Sequence, residues 1–145
     1  MDRKEFLSLI GMSAGAFVLS RCLQGCSAAP GQAYPSPPTN VNFTLDLWLP
    51  TYSPLNSNGG YVYYDGIIVA RVSPSTYIAV SQYCTHQGTS VVFQTTNNNE
   101  FYCSEKGATF SSSGLVITGP ATVALQQYQT QLINTINGNS VRVYS

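Results

Sequence analysis

Two pentapeptides of similar outline, Cys84-Thr85-His86-Gln87-Gly88 and Cys103-Ser104-Glu105-Lys106-Gly107, lie on either side of a stretch that carries the marks of a hairpin. Strand-like runs at 91–94 and 100–103 flank Asn97-Asn98-Asn99, so the pattern predicts two short strands joined by a turn between the two cysteine loops. A chain that leads into and out of both loops through strands is committed to a β fold here.

The rest of the sequence agrees. Val41, Phe43, Leu45, Leu47 and Leu49 alternate with Asn42, Thr44, Asp46 and Trp48, the period of two expected of a strand with one buried face. Residues 61–64 and 67–72 flank Asp65-Gly66, a pair that accepts the positive φ values a two-residue hairpin turn needs. A third strand at 77–82 follows Ser73-Pro74-Ser75 and delivers Cys84 at its end, and Ser111-Ser112-Ser113-Gly114 turns the chain again after Phe110. A closing hairpin pairs about 131–136 with 141–144 across Asn137-Gly138. No amphipathic helix is expected after the leader and no internal repeat is present, so the folded part reads as an all-β sandwich or barrel.

The N-terminus is read apart from the fold. Arg3 and Lys4 precede an apolar run from Phe6 to Leu19, which is shorter than the roughly 20 residues of a membrane span. Leu23-Gln24-Gly25-Cys26 closes it and resembles a bacterial lipobox, in which Cys26 would be acylated and become the first mature residue. Asp2-Arg3-Lys4-Glu5-Phe6-Leu7 also resembles a twin-arginine export signal with Lys in place of the second Arg. The expected organisation is a signal peptide at 1–25, a lipidated Cys26 with a Pro-rich tether to residue 40, and one domain at 41–145. Beyond Cys26 the charges are Arg71, Lys106 and Arg142 against Asp46, Asp65, Glu100 and Glu105, a net charge near −1. With no basic patch to hold a phosphate backbone, nucleic acid is excluded as a partner.

Cys22 and Cys26 belong to the leader region, which leaves Cys84 and Cys103 as the thiols of the domain. Outside the cytoplasm such a pair either bonds to itself or binds metal.

With its C-x-H and C-x-x-Lys loops, the chain resembles the Rieske iron–sulfur domain, whose loops read C-x-H and C-x-x-H. The resemblance extends over nearly all of residues 41–145: Gly88 and Gly107 match the glycines after the ligands, Phe110 and Gly114 match F-x-x-x-G, and Gly119-Pro120-Ala121 stands where a third loop covers the cluster. It implies an antiparallel β-sandwich or barrel with a small cluster-binding subdomain. It also implies a 2Fe-2S cluster with Cys84 and Cys103 on one iron and His86 on the other. Lys106 falls at the fourth-ligand position. To donate to iron an amine must be neutral, and for a side chain that ordinarily titrates near 10.4 this costs roughly 4–5 kcal/mol at neutral pH. The family's high-potential members place hydroxyls near the cluster, whereas the matching positions here are Ala108 and Phe110, so a low potential is expected.

The function implied is electron transfer by a lipid-anchored, extracytoplasmic bacterial protein. It would be a component of a membrane-associated oxidoreductase system rather than a stand-alone enzyme, with a redox protein or a quinol-oxidising complex as partner. The second reading is a binding or structural lipoprotein without cluster, in which a Cys84–Cys103 disulfide would stabilise the fold by roughly 3 kcal/mol.

Overall fold

The alternation at the start of the domain folds as expected: in β1 (Asn42–Asp46) and its flanks Val41, Leu45 and Leu47 are buried while Trp48 is exposed. The computed structural model describes residues 35–96 and 98–145. The leader, Cys26, the first part of the tether and Asn97 of the expected turn lie outside the described residues. β1 ends at Asp46 instead of continuing to Leu49, because Leu49 N–H turns back to the Asp46 carbonyl at 3.0 Å and Pro50 opens a 3-10 helix at Pro50–Asn56. Proline suits that first turn, with its φ preset and no N–H to leave unpaired. Seven residues of 3-10 helix with one buried side chain, Leu55, give no amphipathic period to read.

β2 (Tyr61–Tyr64) and β3 (Ile67–Ser73) form the hairpin across Asp65-Gly66, where φ is 49° and 77°. β4 (Thr76–Ser81) pairs back along β3. β5 (Val92–Gln94), β6 (Glu100–Tyr102), β7 (Thr109–Phe110) and β8 (Val116–Thr118) make a separate four-stranded antiparallel sheet in that order. β9 (Gln127–Thr135) and β10 (Gly138–Tyr144) complete a six-stranded sheet ordered β1-β10-β9-β4-β3-β2. β9 begins earlier than local signals suggest, because its first residues pair with β4, Tyr128 opposite Ala79 and Gln127 opposite Val80. No turn signal in the sequence marks so distant a partner.

The large sheet curls on itself. Its two edge strands meet where the Phe43 and Tyr64 rings pack 4.5 Å apart, and Leu45, Leu55, Ile67, Val69, Ala79, Val141 and Val143 fill the space inside. The opposite face of β3 and β4 supports a second core, in which Ile68, Ala70 and Val80 pack against Val91, Phe93, Phe101 and Phe110 of the small sheet and its flanks. Ile67-Ile68-Val69-Ala70 is therefore buried without interruption, as a strand covered on both faces requires. The fold is an all-β, mostly antiparallel arrangement with a small subdomain on its outer face.

The chain enters this unit along the base of the subdomain. Tyr128 Oη donates to the Pro38 carbonyl at 2.8 Å, and the Pro38 ring lies close against Gly66. Residues 36–40 line a cleft of about 420 Å³ with Gln126, Tyr128 and Ser145.

Phe101 is fully buried between the two sheets; Phe101→Ala is expected to cost about 3–5 kcal/mol in denaturant unfolding. Ile136→Ser, at a fully exposed hairpin tip, is expected to stay within about 0.5 kcal/mol of the parent. Burial pushes the Tyr128 phenol up to about 12, whereas an unfolded tyrosine titrates near 10. The folded state thus keeps a proton that the unfolded chain loses, so this contribution to stability is whole below about pH 10 and is lost as pH rises through about 12. Circular dichroism across that window should show alkaline unfolding moved to higher pH in Tyr128→Phe.

Candidate metal centre

Beyond Ser81 the strand direction is carried on by a narrow stem. Tyr83 bridges Ser90, Val91 N–H donates to the Gln82 carbonyl at 2.8 Å, and Gln82 Nε2 donates to Ser90 Oγ at 2.8 Å. The loop it closes is tied at both ends, with Cys84 N–H to the Thr89 carbonyl and Gly88 N–H to the Cys84 carbonyl, each at 2.8 Å. The loop between β6 and β7 repeats this construction, Cys103 N–H to Ala108 O at 2.8 Å and Gly107 N–H to Cys103 O at 3.1 Å. Gly88 and Gly107 sit at φ 74° and 72°, a conformation open to glycine at little cost. The shared Cys-x-x-x-Gly outline is one turn used twice, each time closing on its own cysteine.

Both cysteines point into the second core, Cys84 at 0% and Cys103 at 1% exposure. Both are free, so the disulfide weighed from the sequence is not formed. Burial pushes the Cys84 thiol up and its hydrogen bond with the Cys103 side chain adds to this, while the backbone N–H groups of His86 and Gln87 work the other way by donating to its sulfur. Two adjacent buried sulfurs, one already met by amide donors, suit a group that displaces their protons and is held by thiolates.

His86 is half-buried, and its Nδ1 is enclosed without a hydrogen-bond partner; no other buried side-chain nitrogen or oxygen among the described residues is left so. An unmet buried polar atom costs about 1–3 kcal/mol, which a metal bond at that nitrogen would relieve. Lys106, by contrast, is exposed together with its neighbours Ser104 and Glu105. Among the described residues no three His, Cys, Asp or Glu side chains converge on one ion. A two-iron cluster does not ask for that convergence, since its thiolates and imidazoles bind different irons.

The segment after β8 straps the two loops together. A Cβ on Gly119 would lie 2.5 Å from Ala108 Cα, so this residue, at φ 102°, presses directly on the backbone of the second loop. Thr85 Oγ1 of the first loop donates to the Val123 carbonyl at 2.6 Å. Between these contacts Pro120 is exposed and Ala121 is buried in the same core as both cysteines. Ser81 then pins the far end, its N–H donating to Gln126 O at 2.8 Å and its Oγ accepting from Gln126 N–H at 3.1 Å. Thr85 and Val123 escaped the sequence reading, for they stand 38 residues apart and the acceptor is a main-chain carbonyl that any residue supplies.

Known proteins bear on this arrangement in two ways. A crystal structure of the cyanobacterial plasma membrane Rieske protein PetC3 from Synechocystis PCC 6803 matches with a TM-score of 0.52 and 26% identity, over 71% of this chain and 99% of that one. No curated protein sequence matches. Residues 53–129, more than half of the chain, match the Rieske [2Fe-2S] domain, and the chain belongs to that family.

Proposed function

We propose that this protein is a Rieske-type electron carrier held outside the cytoplasm of a bacterium by acylated Cys26, and that it serves a membrane-associated oxidoreductase system. The observation that carries the site assignment is the pairing of two free, buried thiols with a partnerless His86 Nδ1 in matched, strapped loops. Cys84 and Cys103 would hold one iron and His86 Nδ1 the other; these three donors fit the cluster. Lys106 does not fit the fourth position, because its side chain is exposed and an ammonium has no lone pair to give.

When bound, a 2Fe-2S cluster supplies one-electron transfer. The chain's own residues supply the rest. Val91, Phe101 and Phe110 keep water from the sulfur side, and the His86 and Gln87 amides stabilise negative charge on Cys84. Gly119, Pro120 and Ala121 would form the covering loop, with Gly119 against Ala108 and Thr85 bonded to the Val123 carbonyl fixing the segment to each loop. Ala108 and Phe110 bring no hydroxyl to the site.

Membrane attachment is supported by the Leu23–Cys26 sequence and by likeness to a protein described as a plasma membrane Rieske protein. Among the described residues no helix is long and apolar enough to cross a membrane. A redox protein or a quinol-oxidising complex is the partner that fits such a carrier.

Chain purified anaerobically from its own host is expected to be brown, with about two irons and two acid-labile sulfides per chain. Cys84→Ser should be colourless. Iron-free parent protein would overturn the carrier and leave a cluster-less lipoprotein scaffold. Redox titration of the loaded protein should find a potential toward the lower end of the range of about −150 to +300 mV spanned by such centres. Ala108→Ser, which restores a donor beside the second loop, should raise it.

A further inference from the structure

From residue 107 to residue 141 the sequence contains no Asp, Glu, Lys, Arg or His. Within this stretch, residues 115–124 form a loop on the small subdomain, closed where Leu125 N–H donates to the Gly114 carbonyl at 2.8 Å. Val116, Ala121 and Leu125 pack into the core beneath it. Leu115 is 61% exposed, Ile117 50% and Val123 55%, and Pro120 is exposed with them. Leu115 and Ile117 stand on either side of Val116 and so share the outer face of β8. Single exposed apolar side chains are ordinary, but four on one closed loop with no charge among them make a surface that water meets poorly.

We propose that this loop rests on the surface of the lipid bilayer that holds Cys26, as a second contact with the membrane; the inference rests on the lipid-anchor reading above and is independent of the cluster. The chain arrives beside the loop, since residues 36–40 share a cleft with Gln126, the residue after Leu125. The segment from Cys26 to Pro38 spans at most about 40 Å. An anchored domain therefore stays near the bilayer, where a weak contact forms at high effective concentration. A lipid anchor also gains from such a contact, because one acyl chain binds reversibly and stable attachment takes a second signal. The exposed side chains are aliphatic, without the Trp, Tyr or Arg that anchor protein interfaces. Glu105 and Lys106, exposed on the neighbouring cysteine loop, are of opposite sign and leave the rim of this surface without net charge.

The test uses the chain isolated from its host's membranes and reconstituted in phosphatidylcholine vesicles. Its amide hydrogen exchange is compared with that of Cys26→Ser, which lacks the acylation site and stays in solution. Residues 115–119 and 121–124 should exchange more slowly on vesicles, and should stay slow when salt is raised, because no charge takes part. The double variant Ile117→Ser, Val123→Ser, changed at exposed positions, should still sediment with vesicles through Cys26 and lose the slowing. Brominated phosphatidylcholine should leave the fluorescence of Trp48 unchanged, since this only tryptophan of the chain stands beside Gly138, at the far end of β9 from the loop. Vesicle-bound parent with unslowed exchange at 115–124, or with Trp48 quenched, overturns this inference alone. Slowing seen in native membranes but not in lipid vesicles overturns it too, and assigns the loop to a protein. A parent that does not sediment with vesicles overturns the anchor reading and this inference together.

Discussion

Strand β3 has protein on both of its faces, and most of the molecule follows from that. Ile67 and Val69 point into the curled six-stranded sheet while Ile68 and Ala70 point into the small subdomain, so one backbone carries two cores. Water on either side of it would remove the contact that joins them. Because β4 runs beside β3 and shares this double burial, the stem that follows Ser81 starts from a fixed base. Cys84 is then placed by packing instead of by a free loop, and Cys103 meets it from the other side of the same core.

The sequence made the hairpins plain because their causes are local. Asp65-Gly66 sits between two apolar runs, the alternation around Leu45 shows one buried face, and the Cys-x-x-x-Gly outlines hold their own hydrogen bonds. What it did not show depends on partners far along the chain. The start of β9 is set by Ala79 and Val80, and the strap is set by Thr85 reaching a carbonyl and by Gly119 lying on Ala108. The 3-10 helix at Pro50–Asn56 was missed for another reason, since one buried side chain in so short an element leaves no periodic trace.

Among the residues singled out for chemistry, burial separates what residue type alone could not. Cys84, Cys103 and the Nδ1 of His86 are withdrawn from water, which is costly for polar groups unless something meets them. Lys106, which holds in the second turn the position of Gln87 in the first, is exposed as Gln87 is. At its third position one loop frame therefore displays a half-buried imidazole, His86, in its first use and an exposed carboxylate, Glu105, in its second.

Where the chain joins the domain has a mechanical consequence. Pro38 is fastened to Tyr128 and Gly66, and Gly66 in turn lies against Tyr83, the residue before Cys84. The tip of the β9–β10 hairpin is at the other end of the sheet, about 30 Å away along nine strand residues. A load transmitted through the N-terminal segment acts on a short lever relative to the cysteine loops and on a long one relative to that tip. The cysteine loops thus lie near the point where the chain joins the domain, and the Asn137-Gly138 tip lies far from it.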